Sequence, residues 1–211
     1  MAEHIKVKVV IPPYNKEKKP KTEEESIRER FELLYREIFF AKEQYFIFND
    51  ICMNGYSEKY KVYNICIFDA LEYSILMKLA KIYDNDNNND SVTLYYMLNA
   101  IQCNKKLNNN DPIIIKFAEN KLKELENMNS LDKLKTLRDK NIAHLDKRYP
   151  EGMKSINKKN VFPYNDLELL INFADDLIKN VFHLVYKETL LDDSKIKVLE
   201  LEYNAIKKLQ E

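Results

Sequence analysis

The chain has few of the residues that form tight turns, with two glycines and six prolines among 211 residues. Glycine readily adopts the positive φ angles that many turns require, and proline interrupts regular structure. Their scarcity argues against a fold of many short, tightly connected segments. It favours long helices that are joined by short polar loops.

Net charge and long apolar runs are also absent. Thirty-four basic residues balance 34 acidic residues, so any affinity for nucleic acid must come from a local patch rather than from the whole molecule. No apolar run approaches the roughly 20 residues that span a bilayer, and residues 1–30 lack the apolar core of a signal peptide. We therefore expect a cytoplasmic protein with no membrane partner.

Cysteine and histidine are scarce. The three cysteines are Cys52, Cys66 and Cys103. Their odd number, the lack of metal-type spacing and their apolar sequence neighbours predict buried free thiols in a reducing compartment. Of the three histidines, none lies near cysteines or acidic residues at ligand spacing, so we expect neither a metal nor a cofactor. His183, within "VFHLVY", is predicted to be packed with one hydrogen bond.

The remaining sequence is dominated by helical periodicity. Alternation in "HIKVKVVI" predicts a short N-terminal β-strand, or else a disordered tail, followed by a linker. Thr22 and Glu25 form a capping box at the start of the first helix. The apolar residues of this helix recur at steps of four and three from Ile27 to Cys52, which predicts a seam packed against another helix. Further helices are predicted to start near Ser57, Ser91, Asp111, Ser130, Asn165 and Ser194. We predict an all-α antiparallel bundle of six or seven helices over residues 22–211, preceded by the strand and linker over residues 1–21.

The stretch "LRDKNIAHLD" places three polar side chains on one face of the helix predicted from Ser130. At about 100° per residue, Arg138 and His144 point about 120° apart, and Asn141 lies midway between them. Asp139 points away from this arc and could instead fix Arg138 or a neighbouring backbone group. Three leucines share part of the face and place the polar set at the rim of an apolar surface: Leu131, Leu134 and Leu145.

These side chains suit the cleavage of RNA without a metal. Histidine can transfer protons near neutral pH, and arginine offers a charged planar fork that matches two phosphate oxygens. One histidine cannot easily serve as both acid and base in one step. Two copies of the motif that meet across a two-fold axis would supply both groups, which predicts a homodimer.

A basic segment follows the motif and could bind RNA. Tyr149 could stack on a base, and five cations could contact phosphates on either side of the cut: Lys147, Arg148, Lys154, Lys158 and Lys159. A solvated basic loop is the alternative. Likewise, a histidine in a last helical turn is favoured by the helix dipole without any catalytic role. The residues alone leave these alternatives open.

The motif also resembles a known signature. "RDKNIAH" is similar to the signature of HEPN domains, in which an arginine and a polar residue precede a histidine late in a long helix. The wider string "LKTLRDKNIAHLDKRY", with its Ala-His-Leu-Asp, resembles abortive-infection U-type (AbiU2-like) HEPN proteins. The helix that ends "LMKLAKIYD" is similar to the central helix of that group. The resemblance covers roughly residues 25–190.

The resemblance implies a homodimeric bundle and, as in many HEPN proteins, a metal-independent endoribonuclease of a toxin–antitoxin or phage-defence system. It implies that Arg138 and His144 are catalytic and that Asp139 supports them; Asn141 comes from the helix geometry alone. An antitoxin or a nucleotidyltransferase is the implied protein partner. The tyrosine that such partners modify lies two residues after the histidine in the family, where this chain has Asp146. A non-catalytic HEPN-like module that binds a partner or ligand is the alternative function.

Overall fold

The computed structural model describes residues 22–54, 61–85, 92–145, 162–188 and 190, without the side chains of residues 54, 61, 63, 64 and 140–145. Within these ranges the chain forms seven α-helices and no strand, which confirms the predicted all-α class. The helices are α1 (Glu23–Asn54), α2 (Lys61–Ile82), α3 (Leu94–Cys103), α4 (Lys105–Asn108), α5 (Pro112–Glu126), α6 (Asn129–Leu145) and α7 (Tyr164–Val181). A π-helical turn, Phe182–Tyr186, extends α7.

Two helix starts follow the local sequence as predicted. Before α1, the Thr22 amide donates to Glu25 Oε2 at 2.8 Å, and the Glu25 amide donates to Thr22 Oγ1 at 3.2 Å, which is a complete capping box. Before α5, Asp111 Oδ1 accepts a hydrogen bond from the Ile113 amide at 2.8 Å, and Pro112 occupies the first helical turn.

Three other helix starts differ from the prediction. Helix α3 begins after Thr93, whose Oγ1 accepts from the Tyr96 amide at 3.1 Å, rather than near Ser91. Helix α6 begins at Asn129, so Ser130 lies inside its first turn instead of capping it. Helix α7 begins at Tyr164, one residue before Asn165. Each difference is one or two residues, which is the usual variation at helix ends.

Asparagine replaces glycine at one sharp turn of this glycine-poor chain. Asn109 and Asn110 adopt φ angles of 51° and 55° between α4 and α5. Asparagine tolerates this left-handed conformation better than most residues because its short amide can bond to nearby backbone. The Asn108 side chain stabilises the same turn, since its Oδ1 accepts from the Asn110 amide at 2.8 Å.

A single apolar core joins α1, the second half of α2, α3, α5, α6 and α7. The predicted seam of α1 is buried from Ile27 to Phe48 except for Tyr45, which is partly buried, and Cys52 at its end is exposed. Helix α2 divides in two: Ile75 and Leu79 are fully buried, whereas Val62 and Ile65 are exposed. The interpretation of α2 as a central helix is therefore right for its second half.

All three cysteines are free and exposed, so the prediction that they are buried is wrong. The prediction rested on apolar residues next to each cysteine in sequence. Neighbouring residues on a helix point about 100° apart, and an apolar neighbour therefore does not place a thiol in the core.

The segments predicted as the N-terminal strand, the linker and the last helix from Ser194 lie outside the described residues. Every helix in the described ranges is too short or too polar to cross a membrane.

Candidate active site on helix α6

Helix α6 carries the Arg-to-His motif and is fixed to the bundle through its leucines. Leu134 and Leu137 are buried in the core, and Leu131 packs against it. Their spacing of three residues keeps one stripe of the helix against the bundle. Arg138 and Asp139 come next on the helix, where the side chain of Arg138 is 21% exposed and that of Asp139 is 57% exposed. Arg138 is therefore partly buried, next to the leucines that hold α6 against the bundle.

Two carboxylates hold Arg138. Its Nη1 lies 2.9 Å from Asp84 Oδ2, just after the end of α2. Its Nε donates to Asp139 Oδ1 at 3.0 Å. Asp139 therefore contacts the arginine that precedes it, which is one of the two roles that the sequence suggested for it. The guanidinium is fixed from two sides, by its own helix and by a residue that follows α2.

The charge of Arg138 is stabilised by these contacts. Partial burial lowers the pKa of its guanidinium, but the hydrogen bonds to Asp84 and Asp139 outweigh that effect and leave the pKa above its ordinary value. Arginine is protonated at physiological pH in any case. The consequence here is geometric, because a half-buried cation is kept charged and in one orientation.

Asp84 was not identified as a site residue from the sequence. A signal was present, since Asp84 is the last residue of "LMKLAKIYD", the string that resembles the central helix of the HEPN group. Nothing local shows that this carboxylate lies beside Arg138, because the two residues are far apart in sequence. Only the contact between α2 and α6 brings them together.

The other predicted site residues lie wholly or partly outside the described residues. Asn141 and His144 lie on the backbone of α6, but their side chains are outside the described residues. The six predicted RNA-binding residues are also outside the described ranges: Lys147, Arg148, Tyr149, Lys154, Lys158 and Lys159. The described site therefore consists of Arg138, Asp139 and Asp84.

His183 is exposed on the π-helical turn that follows α7. The prediction that it is a packed histidine is therefore wrong. The apolar residues around it, Phe182 and Val181, are buried, and the turn directs the histidine away from them.

Comparison with known families identifies the class of protein. Residues 24–204 match the model of the HEPN_AbiU2 family, described as AbiU2. The match takes in α1 to α7 and the whole Arg-to-His motif, so the bundle is a HEPN domain. The chain belongs to the AbiU2 family of HEPN domains. Neither the comparison with curated proteins nor that with solved structures gave a match.

Proposed function

We propose that this chain is a metal-independent endoribonuclease of a toxin–antitoxin or phage-defence (abortive infection) system. It cuts RNA by attack of a 2′-hydroxyl on the adjacent phosphorus, at a composite site that forms in a homodimer. Membership of the AbiU2 HEPN family supports the abortive-infection context. The observation that carries the proposal is the fixed, half-buried guanidinium of Arg138 in the RDKNIAH motif.

In this proposal Arg138 binds the scissile phosphate. Its two described hydrogen bonds involve two of the five N–H donors of a guanidinium, so further donors can serve phosphate oxygens. A donor that is already oriented does not need to reorganise as negative charge develops on those oxygens. Such pre-oriented donors typically contribute about 10²-fold to 10³-fold to the rate.

His144 transfers the protons. Its neutral imidazole takes the proton of the 2′-hydroxyl while the 2′-oxygen attacks phosphorus. The bond from phosphorus to the 5′-oxygen breaks, and that oxygen takes a proton from the cationic imidazole of the partner subunit's His144. The products are a 2′,3′-cyclic phosphate and a 5′-hydroxyl. Asn141 supports the imidazole of His144 through a polar contact. Asp139 supports the guanidinium of Arg138 by holding it in place.

The basic segment after the motif binds the flanking RNA in this proposal. Its cations neutralise phosphates on either side of the cut, and Tyr149 stacks on a base. Because the net charge of the chain is zero, this local patch must supply the attraction to RNA. A cognate antitoxin or a nucleotidyltransferase would silence the enzyme by binding to it. Asp146 stands where HEPN toxins that are silenced by a nucleotidyltransferase often carry a modifiable tyrosine, which argues for silencing by binding.

The test is incubation of the purified full chain with total cellular RNA in EDTA. Wild type and His183→Ala should cleave alike, because His183 is exposed outside the site, whereas His144→Ala should be inactive. The fragments should end in 2′,3′-cyclic phosphates. Equal survival of RNA with wild type and with His144→Ala would overturn the proposal, and loss of cleavage in EDTA would overturn its metal independence.

The composite site is tested with mixed dimers of wild type and His144→Ala. If each site needs the histidines of both subunits, activity falls with the square of the wild-type fraction. If each subunit acts alone, activity falls in direct proportion to that fraction. The second result would be consistent with a nuclease but would contradict a site that is shared between the two subunits.

A non-catalytic binding module is the second candidate function. It is supported by the ion pairs of Arg138, which already has two carboxylate partners, and by the neutral net charge. In that case Arg138 holds α2 and α6 together instead of binding phosphate. Intact RNA after incubation with wild type, together with a lower melting temperature for Arg138→Ala, would favour this function.

A further inference from the structure

A cavity of about 270 Å³ opens beside Arg138, between the end of α2, α3 and the first half of α6. Tyr83 and Tyr95 contribute two aromatic rings to its lining, and Leu131 and Leu134 add apolar surface. Ligand pockets typically range from about 300 to 1,000 Å³. At about 270 Å³ this cavity lies just below that range, so it suits a single planar ring system better than an extended ligand.

The two tyrosines differ in how freely their hydroxyl groups can act. The Tyr83 hydroxyl donates to the Leu170 carbonyl oxygen at 2.5 Å, so it is fixed by the fold. Burial, followed by the negative charges of Glu126 and Asp132, raises the pKa of Tyr95 above its ordinary value. The Tyr95 hydroxyl therefore stays protonated at physiological pH, where it can both donate and accept a hydrogen bond.

Three polar residues of the cavity follow one face of α6, and Asp84 and Asn85 line it from just beyond the end of α2. Asp84 is the carboxylate that is ion-paired with Arg138. Asp132, Lys135 and Arg138 all line the cavity and are spaced three residues apart, so they lie about 4.5 Å apart along the helix. The acidic end of this row lies at Asp132 and the cationic end at Lys135 and Arg138. A single ring that carries hydrogen-bond donors and is attached to an anionic group would match the row.

We propose that this cavity binds the base of the nucleotide next to the phosphate held by Arg138, with a preference for bases that carry an exocyclic amino group. The inference rests on the proposed nuclease function and adds a specificity determinant to it. Adenine, cytosine and guanine each carry an amino group that can donate a hydrogen bond to a carboxylate, as the amino group of cytosine does to aspartate. Uracil presents one N–H between two carbonyl oxygens, which the carboxylate of Asp132 repels.

Asp132 and Tyr95 set the base preference in this arrangement, and Arg138 and Lys135 bind the phosphate end. Aromatic rings add stacking that is tolerant of base identity. The discrimination therefore comes from the polar edge of the cavity. A good bidentate contact between a side chain and a base edge changes the preference between bases by about fivefold or more, and we expect a change at the low end, about fivefold, from the Asp132 contact.

Two experiments test the inference. In the first, an RNA pool of random sequence is cut by wild type, and the ends are sequenced. Uracil should be depleted at one fixed position beside the cut, and Asp132→Asn should remove most of that depletion while RNA is still cleaved. Tyr95→Phe is a second variant of the same cavity, and the exposed Asp176→Asn is the matched control. Thermal melting is measured for each variant to check that it is folded.

In the second experiment, 3′-mononucleotides are titrated into the His144→Ala protein by calorimetry. The uridine nucleotide should bind about fivefold more weakly than the other three, and adding Asp132→Asn should equalise them. If RNA is cleaved and Asp132→Asn leaves the base preference unchanged, the cavity inference is overturned but the proposed nuclease activity is not. Selective binding of nucleotides without any cleavage overturns the nuclease and supports the cavity. Equal binding of all four nucleotides also overturns the inference.

Discussion

Arg138 on α6 is ion-paired with Asp84 just beyond the end of α2, with 2.9 Å between Nη1 and Oδ2. This contact joins two helices at the point where the motif begins. It also sets the direction of the guanidinium, since Asp139 holds the opposite side of the same group through Nε. In the proposed enzyme, Asp84 is thus a positioning residue that acts through Arg138.

Asp84→Asn should lower kcat/KM for RNA on the order of tenfold, because a small misplacement of a catalytic group can cost up to about 10²-fold. Asp84→Glu, which keeps the charge, should restore part of the loss. The matched control is Asp69→Asn, an exposed acid on α2, which should cleave as wild type does. A purely structural role for Asp84 would instead lower the melting temperature and leave kcat/KM per folded molecule unchanged.

Arg138→Lys should lose about 10²-fold or more in cleavage rate, since an ammonium cannot present the paired donors of a guanidinium to a phosphate. The fold should be retained within about 1 kcal/mol, because partly exposed ion pairs contribute little to stability. Arg36→Lys, at an exposed position on α1, is the control. Cleavage rates are measured on a labelled oligonucleotide. Equal rates for wild type and Arg138→Lys would show that the guanidinium of Arg138 is not needed for cleavage.

The sequence predicted those features that depend on local patterns. The capping box at Thr22 and Glu25 and the Asp111 cap both lie within a few residues of what they stabilise, and both were predicted. The core seam of α1 follows from a repeat that its own residues display. The pairing of Asp84 with Arg138 could not be predicted, because it depends on how α2 packs against α6. The side-chain positions of Asn141 and His144 stay predictions.

Leu134→Ala should lower the free energy of unfolding by about 2–5 kcal/mol. Leu134 is 2% exposed and anchors α6 in the core, so the truncation leaves a cavity behind the motif. Leu169→Ala is the matched control, since Leu169 is 52% exposed on α7 and should change stability by less than about 0.5 kcal/mol. Urea unfolding measures the free energy of unfolding of both variants. Equal effects of the two substitutions would contradict the described packing of α6.

Glu72 gives the stability a testable dependence on pH. Burial, followed by repulsion from Asp69, raises the pKa of Glu72. The folded protein therefore binds this proton more tightly than the unfolded chain does. The resulting stabilisation is fully present below the unfolded-state pKa, about 4.3 for glutamate, and is lost as pH rises through the folded-state pKa. Glu72→Gln should thus be more stable than wild type at pH 7 and lose that advantage near pH 4. Urea unfolding at both pH values checks this, and a difference of the same size at both would contradict it.

Asp175 is a buried carboxylate between two lysines, and it should contribute more to stability than its exposed neighbour. It is 6% exposed on α7, and its Oδ2 lies 2.6 Å from Lys42 Nζ on α1 and 2.8 Å from Lys179 Nζ. Asp175→Asn keeps the shape but removes the charge that both lysines contact. Because hydrogen bonds to charged groups contribute about 1.5–3 kcal/mol, the free energy of unfolding should fall by about that amount. Asp176→Asn, one residue further on and exposed, should change it by less than about 0.5 kcal/mol. If the two variants unfold at the same urea concentration, the charge on Asp175 does not hold α1 against α7, and packing alone joins these helices.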